Sequence, residues 1–238
     1  MSESLFRFKE FNVAQGKCAM KVGTDGVLLG AWVRIPDKVG SILDIGTGTG
    51  LIALQLAQRC ESEIIDALEI EPGAFEQAVE NFENSPWSDR LFCYHASLGE
   101  FQAEMDERYD LIVCNPPFYN NSYPAGGQER NLARQEEDLD FESLLKCSSE
   151  LLNPVGTCAF IVPFERQGEF LNIAENHHLY ASRITRVKGS PGSPVKRSLI
   201  QMQQEQVSPD LSNLTIETSR HVYTQEYRDM VKDFYLKM

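Results

Sequence analysis

Asp44-Ile45-Gly46-Thr47-Gly48-Thr49-Gly50, entered from the apolar pair Ile42-Leu43, decides how the rest of the chain is read. Three glycines at alternate positions lie where a buried-strand pattern gives way to the apolar helix that begins near Leu51. Glycine there admits positive φ and lets the backbone come close to a ligand. In an open α/β sheet, ligands bind outside the carboxyl ends of the strands. The same strand-then-loop pattern returns at Leu111-Ile112-Val113, followed by Asn115-Pro116-Pro117-Phe118. Both loops are therefore expected to face one crevice.

Outward from that pair, strand and helix patterns alternate from Ser41 onward. Strands are expected at 41–45, 63–69, 91–95, 109–114, 156–162, 180–188 and 197–204, with helices near 50–60, 73–84, 138–152 and 165–176. Strands separated by helices imply right-handed crossovers and a mostly parallel sheet covered on both faces. The expected fold is thus an α/β, Rossmann-like seven-stranded sheet. One domain spans 1–238, made of an N-terminal extension (1–39), a cofactor-binding core (40–205) and a tail (206–238) that docks back. In the extension, Phe6, Phe8, Phe11 and Val13 predict short alternating strands, and Thr24-Asp25-Gly26 offers an N-cap to a helix stopped by Pro36. Residues 116–137 form a long loop rich in proline and glycine, of a length usually tied to function. Gly189 to Pro194 is a turn-rich tip between the last two strands, and Gln203 to Ser212 reads as a polar connector.

Composition limits the function classes. The chain has 238 residues, 42% of them hydrophobic and 24% charged, ordinary values for a water-soluble globular domain. No apolar run approaches the roughly 18 residues of a bilayer span, and Met1 to Phe11 lacks a signal-peptide core, so a cytoplasmic enzyme without membrane contact is expected. Cys18, Cys60, Cys93, Cys114, Cys147 and Cys158 are scattered without a Cys-x-x-Cys pair, which fits small buried hydrophobes and no metal. The net charge of −13 opposes nucleic-acid binding in general. Its distribution qualifies this, because Asn176 to Gln204 holds no acid and five cations, Arg183, Arg186, Lys188, Lys196 and Arg197. Such a window is either a solvated surface or an RNA-binding one, which Arg7 and Lys21 would extend.

The glycine loop does not fit a dinucleotide. That fingerprint places its third glycine where Leu51 stands. Glu69, closing the next strand, is suited to accept hydrogen bonds from both hydroxyls of a ribose, whereas Glu71 alternates away and is expected to be solvated. Asn115-Pro116-Pro117-Phe118 has a chemistry of its own. The nitrogen of an exocyclic amine on a base is a poor nucleophile, because its lone pair is delocalised into the ring. Two acceptors aimed at its N–H groups, the Asn115 side-chain oxygen and the Pro116 carbonyl, pull it toward tetrahedral geometry. Pro116 and Pro117 fix φ twice and stiffen the carbonyl, and Phe118 can stack on the base. The chemistry implied is methyl transfer from S-adenosylmethionine. A thiolate nucleophile at Cys114, which ends a strand beside Val113, is the weaker reading, and packing is expected there.

With those residues in view, the sequence resembles the valine-tRNA adenine-37 N6-methyltransferase family of class I S-adenosylmethionine-dependent enzymes. The resemblance runs through Phe6-Arg7-Phe8-Lys9-Glu10-Phe11, the stretch from Ala19 to Trp32, the glycine loop, Asn115 to Phe118, Arg130-Asn131-Leu132-Ala133-Arg134 and Lys232-Asp233-Phe234-Tyr235-Leu236. It implies methylation of N6 of the adenosine beside the anticodon of a valine tRNA; the oligomeric state is left open by the sequence, and a monomer is assumed. It also implies that Asp44, Gly46, Thr47, Gly48, Gly50, Glu69, Ser97 and Asn115 hold the cofactor. Ser97 stands where the family often has an acid beside the cofactor adenine, and Gln135 where a histidine is expected. Two alternatives remain: a ribosomal-RNA guanine-N2 methyltransferase using the same four residues, and a non-catalytic cofactor- and RNA-binding adaptor. A protein-glutamine methyltransferase fits less well, since it would carry a helical domain in front and a tyrosine at position 118.

Overall fold

The structure, a computed structural model, describes residues 5–105, 107–117 and 139–238. In chain order the elements are β1 (Leu5–Arg7), β2 (Asn12–Ala14), α1 (Thr24–Trp32), β3 (Ser41–Ile45), α2 (Leu51–Arg59), β4 (Ile64–Glu69), α3 (Pro72–Glu83), β5 (Leu91–His95), α4 (Leu98–Glu104) and β6 (Tyr109–Cys114). After the undescribed segment come α5 (Phe141–Leu151), β7 (Leu152–Pro163), a 3-10 turn (Phe164–Arg166), α6 (Gln167–Asn176), β8 (Tyr180–Lys188), β9 (Val195–Gln203), β10 (Asp210–Thr215), β11 (Glu217–Ser219), β12 (Val222–Tyr223) and α7 (Gln225–Val231).

The central sheet has the order β10-β8-β9-β7-β6-β3-β4-β5. Only β9 runs antiparallel to its neighbours β7 and β8; the remaining pairings are parallel. Eight strands replace the seven expected. The extra one, β10, begins inside the stretch read as a polar connector. It lies at the sheet edge, paired only with β8, and Leu214 is its buried residue. An edge strand exposed over most of its length has no need of apolar alternation.

Successive residues of β3 enter different cores. Ile42 joins the cluster under α1, α2 and α3, and Leu43 joins the cluster under α4, α5 and α6. Burial on both faces explains why the parallel strands read as continuous apolar runs. Helix starts follow capping chemistry. The Glu71 carboxylate accepts from Ala74 N–H, with Pro72 at the first helical position, so Glu71 caps α3 instead of being merely solvated. Asp140 and Thr224 cap α5 and α7 in the same way. The expected cap at Thr24 is displaced by one residue: Gly23 is the N-cap, with no side-chain bond, and Thr24 already lies in the helix.

The β1–β2 hairpin and the tail close on each other. Phe8 bridges Tyr235, Lys9 N–H donates to the Phe234 carbonyl at 2.9 Å, and Val231 and Phe234 share the first core with Phe8, Phe11 and Val13.

Candidate active site

The register of the sheet assembles the site. Leu68 of β4 pairs with Ile45 of β3, and Ile45 pairs with Cys114 of β6. One residue further along each chain stand Glu69, Gly46 and Asn115. Three separate sequence signals therefore emerge side by side at the carboxyl edge. Adjacent strands lie about 4.8 Å apart, which sets Glu69 and Asn115 about 10 Å from each other across the glycine loop.

That loop is held from below and open above. Gly46, Gly48 and Gly50 have φ of 67°, 57° and 80°, the left-handed region that favours glycine. Among the described residues, a Cβ built on Gly46 or Gly48 would meet nothing within 4 Å, whereas on Gly50 it would lie 2.5 Å from the Phe82 ring. The first two glycines thus leave room for a ligand, and the third is needed for packing against α3. Thr47 N–H donates to the Leu68 carbonyl at 2.9 Å. Glu69 braces the loop with one oxygen, accepting from Gly48 N–H at 2.8 Å, and accepts from Glu71 N–H with the other at 2.9 Å. A carboxylate oxygen has a second lone pair, so both oxygens retain capacity for ribose hydroxyls.

Asp44 is fully buried behind the loop. Its Oδ2 accepts from the Thr47 hydroxyl at 2.6 Å and from Ala53 N–H at 3.2 Å, and its Oδ1 is buried without a partner among the described residues. Burial pushes this carboxyl up from 3.8 to about 7. The folded chain therefore holds the proton more tightly than the unfolded one. The stability this contributes is complete below the unfolded pKa and is lost as pH rises through 7. Asn at this position is close in shape and does not titrate. Melting curves from about pH 5 to pH 8 should show the parent losing stability relative to Asp44→Asn as pH rises; parallel curves would show that Asp44 does not titrate there.

Asn115 is half-buried, Pro116 buried and Pro117 exposed; Phe118 lies outside the described residues, as do Arg130 to Gln135. Cys114 is fully buried and desolvation holds its thiol far above the ordinary range, as packing requires and a nucleophile does not. Ser97 is the N-cap of α4: its hydroxyl accepts from Glu100 N–H and donates to the Glu100 carboxylate, a capping box that the sequence reading passed over.

Two supporting residues also escaped that reading. Gln77 and Asn81, one turn apart on α3, are buried polar side chains beside Ala74, Ala78 and Phe82. Asn81 bonds both the N–H and the carbonyl of Ala14 and donates to the Thr49 carbonyl, each at 2.8 Å. Gln77 accepts from Lys17 N–H at 3.2 Å. Together they tie the N-terminal segment to the glycine loop. The available signal was a polar pair at i, i+4 inside an apolar helical stripe.

The basic window divides between two faces. Arg183 stacks over Trp32, 4.3 Å from the ring centroid, and donates to its carbonyl at 2.9 Å, so it serves the packing of α1. Arg197 pairs with Asp25 at 2.7 Å. Arg186 alternates to the other face, beside Phe164. Lys188 donates to the Pro191 carbonyl at 3.3 Å, and Lys196 is exposed. Lys21 is folded into its own segment, donating to the Gln15 and Cys18 carbonyls. Because β8 is parallel to β7 through the antiparallel β9, the 189–194 tip lies at the same sheet edge as Asn115.

Among the described residues, no cluster of three or more His, Cys, Asp or Glu could hold a metal ion, and no helix is long and apolar enough to cross a membrane.

A sheet of this order, with a left-handed glycine loop and an acid ending the adjacent strand, defines a class I methyltransferase. Solved structures agree in fold. A predicted O-methyltransferase from Agrobacterium tumefaciens superposes with a TM-score of 0.70 at 20% identity, over 88% of this chain and 96% of that one. A putative class I S-adenosylmethionine-dependent methyltransferase from Listeria monocytogenes does so with a TM-score of 0.55 at 16% identity, over 87% and 68%. Residues 26–136 match the family model of the methyltransferase small domain. The chain belongs to the tRNA1(Val) (adenine(37)-N6)-methyltransferase family: the member from Christiangramia forsetii is 52% identical over 240 residues, covering all of both chains.

Proposed function

We propose that the chain methylates N6 of adenosine 37 in the anticodon loop of tRNA1(Val), using S-adenosylmethionine. The observation that supports the reading is the row Glu69–Gly46–Asn115, which brings the glycine loop and the acid ending β4 beside the Asn115 loop. The printed name of its full-length relatives supplies the RNA. The residues present suit the cofactor: two left-handed glycines with space before them, a ribose-binding carboxylate, and a buried carboxylate oxygen still without a partner.

S-adenosylmethionine supplies a methyl group made electrophilic by its sulfonium, with a neutral leaving group. The backbone of Gly46 to Gly48 would hold its amino-acid end, Glu69 would take the ribose, and Ser97 would stand toward the adenine. Asn115 and the Pro116 carbonyl would accept the two N–H bonds of the substrate amine, and Phe118 of the same motif is the residue suited to stack on the base. With the amine so held, its nitrogen would take the methyl group as the neutral thioether leaves, and one proton would pass from the nitrogen to water. Positioning for in-line attack carries the rate, and no side chain with a shifted pKa is needed. The test is methyl transfer to purified tRNA1(Val), followed by mass spectrometry of the nucleosides. N6-methyladenosine confined to position 37 is expected. N2-methylguanosine in ribosomal RNA, or cofactor binding with no transfer, would favour one of the other two readings.

The cations that flank the 189–194 tip, half-buried Lys188 and exposed Lys196, are the proposed phosphate contacts, which position RNA without reading its sequence. Arg197 is a poor probe, because a reversed charge there would face Asp25. Lys188→Glu with Lys196→Glu should raise KM for tRNA and reduce the log–log salt slope by roughly one unit per lost contact, with cofactor affinity unchanged. An unaltered slope and KM would show that the tip is only a solvated surface.

A further inference from the structure

We propose that a second cleft on the same edge of the sheet binds an unpaired nucleobase of the RNA, distinct from the adenosine being methylated; this rests on the RNA substrate proposed above. The cleft, about 780 Å³, opens between the β8–β9 tip, the turn after β10 and the joined N- and C-terminal segments. Its floor is continuous with the tip, because Ile216 N–H and Glu217 N–H donate to the Lys188 and Gly189 carbonyls at 3.0 and 2.8 Å. The tip itself is fixed by Ser193, whose hydroxyl accepts from Ser190 N–H and donates to the Ser190 carbonyl, both at 2.9 Å. An open cleft of this size has room for a ligand of nucleotide dimensions.

The lining has the chemistry of a base-stacking platform. Phe6, Tyr223 and Tyr235 present half-buried rings. Aromatic faces of this kind hold single-stranded bases regardless of identity. Arg7 and Lys237 stand at the rim, and Glu217 offers a carboxylate to a base amino group. Arg7 and Lys237 are the cations that line the cleft, and in a chain of net charge −13 they suit a base carried on its phosphate better than a second copy of the same acidic protein. The cleft lies three strands across from β6 and about four residues further along the strand direction than Asn115, so the two are separated by about 20 Å. One RNA loop can reach both. Engagement of a neighbouring base would help hold the loop open while the target adenosine is turned out, an extrusion that costs unstacking energy.

Tyr223 is the residue to change, since it lies on the short β12 and outside the catalytic row. Tyr223→Ala should weaken tRNA1(Val) binding about tenfold and raise KM accordingly. Cofactor affinity and the log–log salt slope should stay as in the parent, and Tyr223→Trp should restore affinity. An unchanged slope separates lost stacking from a lost phosphate contact. Ultraviolet crosslinking of the parent to tRNA, mapped by mass spectrometry, should mark peptides containing Tyr223 or Tyr235. The cleft proposal is overturned if the parent methylates tRNA while Tyr223→Ala binds it equally well. It also falls if the alanine and tryptophan variants lose affinity only in step with melting temperature, or if Tyr223→Ala abolishes self-association of the chain. A parent that neither binds nor methylates tRNA would overturn the functional reading as well.

Discussion

Asn115→Ala is expected to lower kcat by about 10²–10³-fold, the range seen when one preorganised hydrogen-bonding group is removed from a reacting centre. Asn115 follows the last residue of β6 and is only half-buried, so its truncation leaves the strand ladder intact. Melting temperature and cofactor dissociation constant should both stay near parental values. KM for tRNA should change little, because the bond from the amine strengthens as its nitrogen becomes tetrahedral. Asn115→Asp keeps an acceptor at the same place and should retain more activity than the alanine. Single-turnover kinetics with saturating tRNA would measure the chemical step directly. Equal loss of activity and stability in both variants would make Asn115 a turn-forming residue and not a catalytic one.

Gly48 and Gly50 should separate binding from folding within one loop. An alanine at Gly50 meets two obstacles, a φ of 80° and a Cβ 2.5 Å from the Phe82 ring in the first core. Strain and overpacking together cost roughly 2–5 kcal/mol, a fall of about 10 °C in melting temperature for a domain of this size. Among the described residues an alanine at Gly48 meets no neighbour within 4 Å, and its cost is the left-handed backbone, about 1–2 kcal/mol. Its methyl group stands instead in the space left for the cofactor. Gly48→Ala should weaken cofactor binding while melting only a few degrees lower, and Gly48→Asp should abolish binding. Calorimetry and thermal melts on the variants would decide the matter. If Gly48→Asp binds cofactor like the parent, the ligand approaches elsewhere.

β3 and β6 were legible because they are buried on both faces and read as apolar runs; β8, which carries cations among its apolar residues, also falls at the expected residues. β10 was hidden for the converse reason, since an edge strand with Leu214 buried and most other residues exposed resembles a connector. The seven-residue α4 is too short for a helical period, although Ser97 and Glu100 had already spelled its capping box. The glycines and Asn115 could be assigned to one crevice from their strands alone, because topology fixes which strand ends share an edge. The cations could not. Arg183 and Arg186 lie close in sequence, yet they project from opposite faces of β8, one onto Trp32 and the other beside Phe164. Composition counts charge but does not say which way a strand points it. Gln77 and Asn81 were missed because buried amides are legible only through their partners, and Ala14, Lys17 and Thr49 are remote in sequence.

The interlock of the β1–β2 hairpin with the tail bears on the order of events during synthesis. The Lys9 side chain reaches the Lys232 carbonyl across 223 positions, and Phe8 meets Tyr235 across a similar span. The hairpin leaves the ribosome first but cannot complete its packing until nearly the whole chain has followed. The central sheet, including the Glu69–Gly46–Asn115 row, needs neither segment to pair its strands. The cofactor cradle can therefore form on an unfinished chain, whereas the cleft between Phe6, Tyr223 and Tyr235 comes into being only when both segments meet. Engagement of that cleft is thereby reserved for molecules whose synthesis has run past Tyr235.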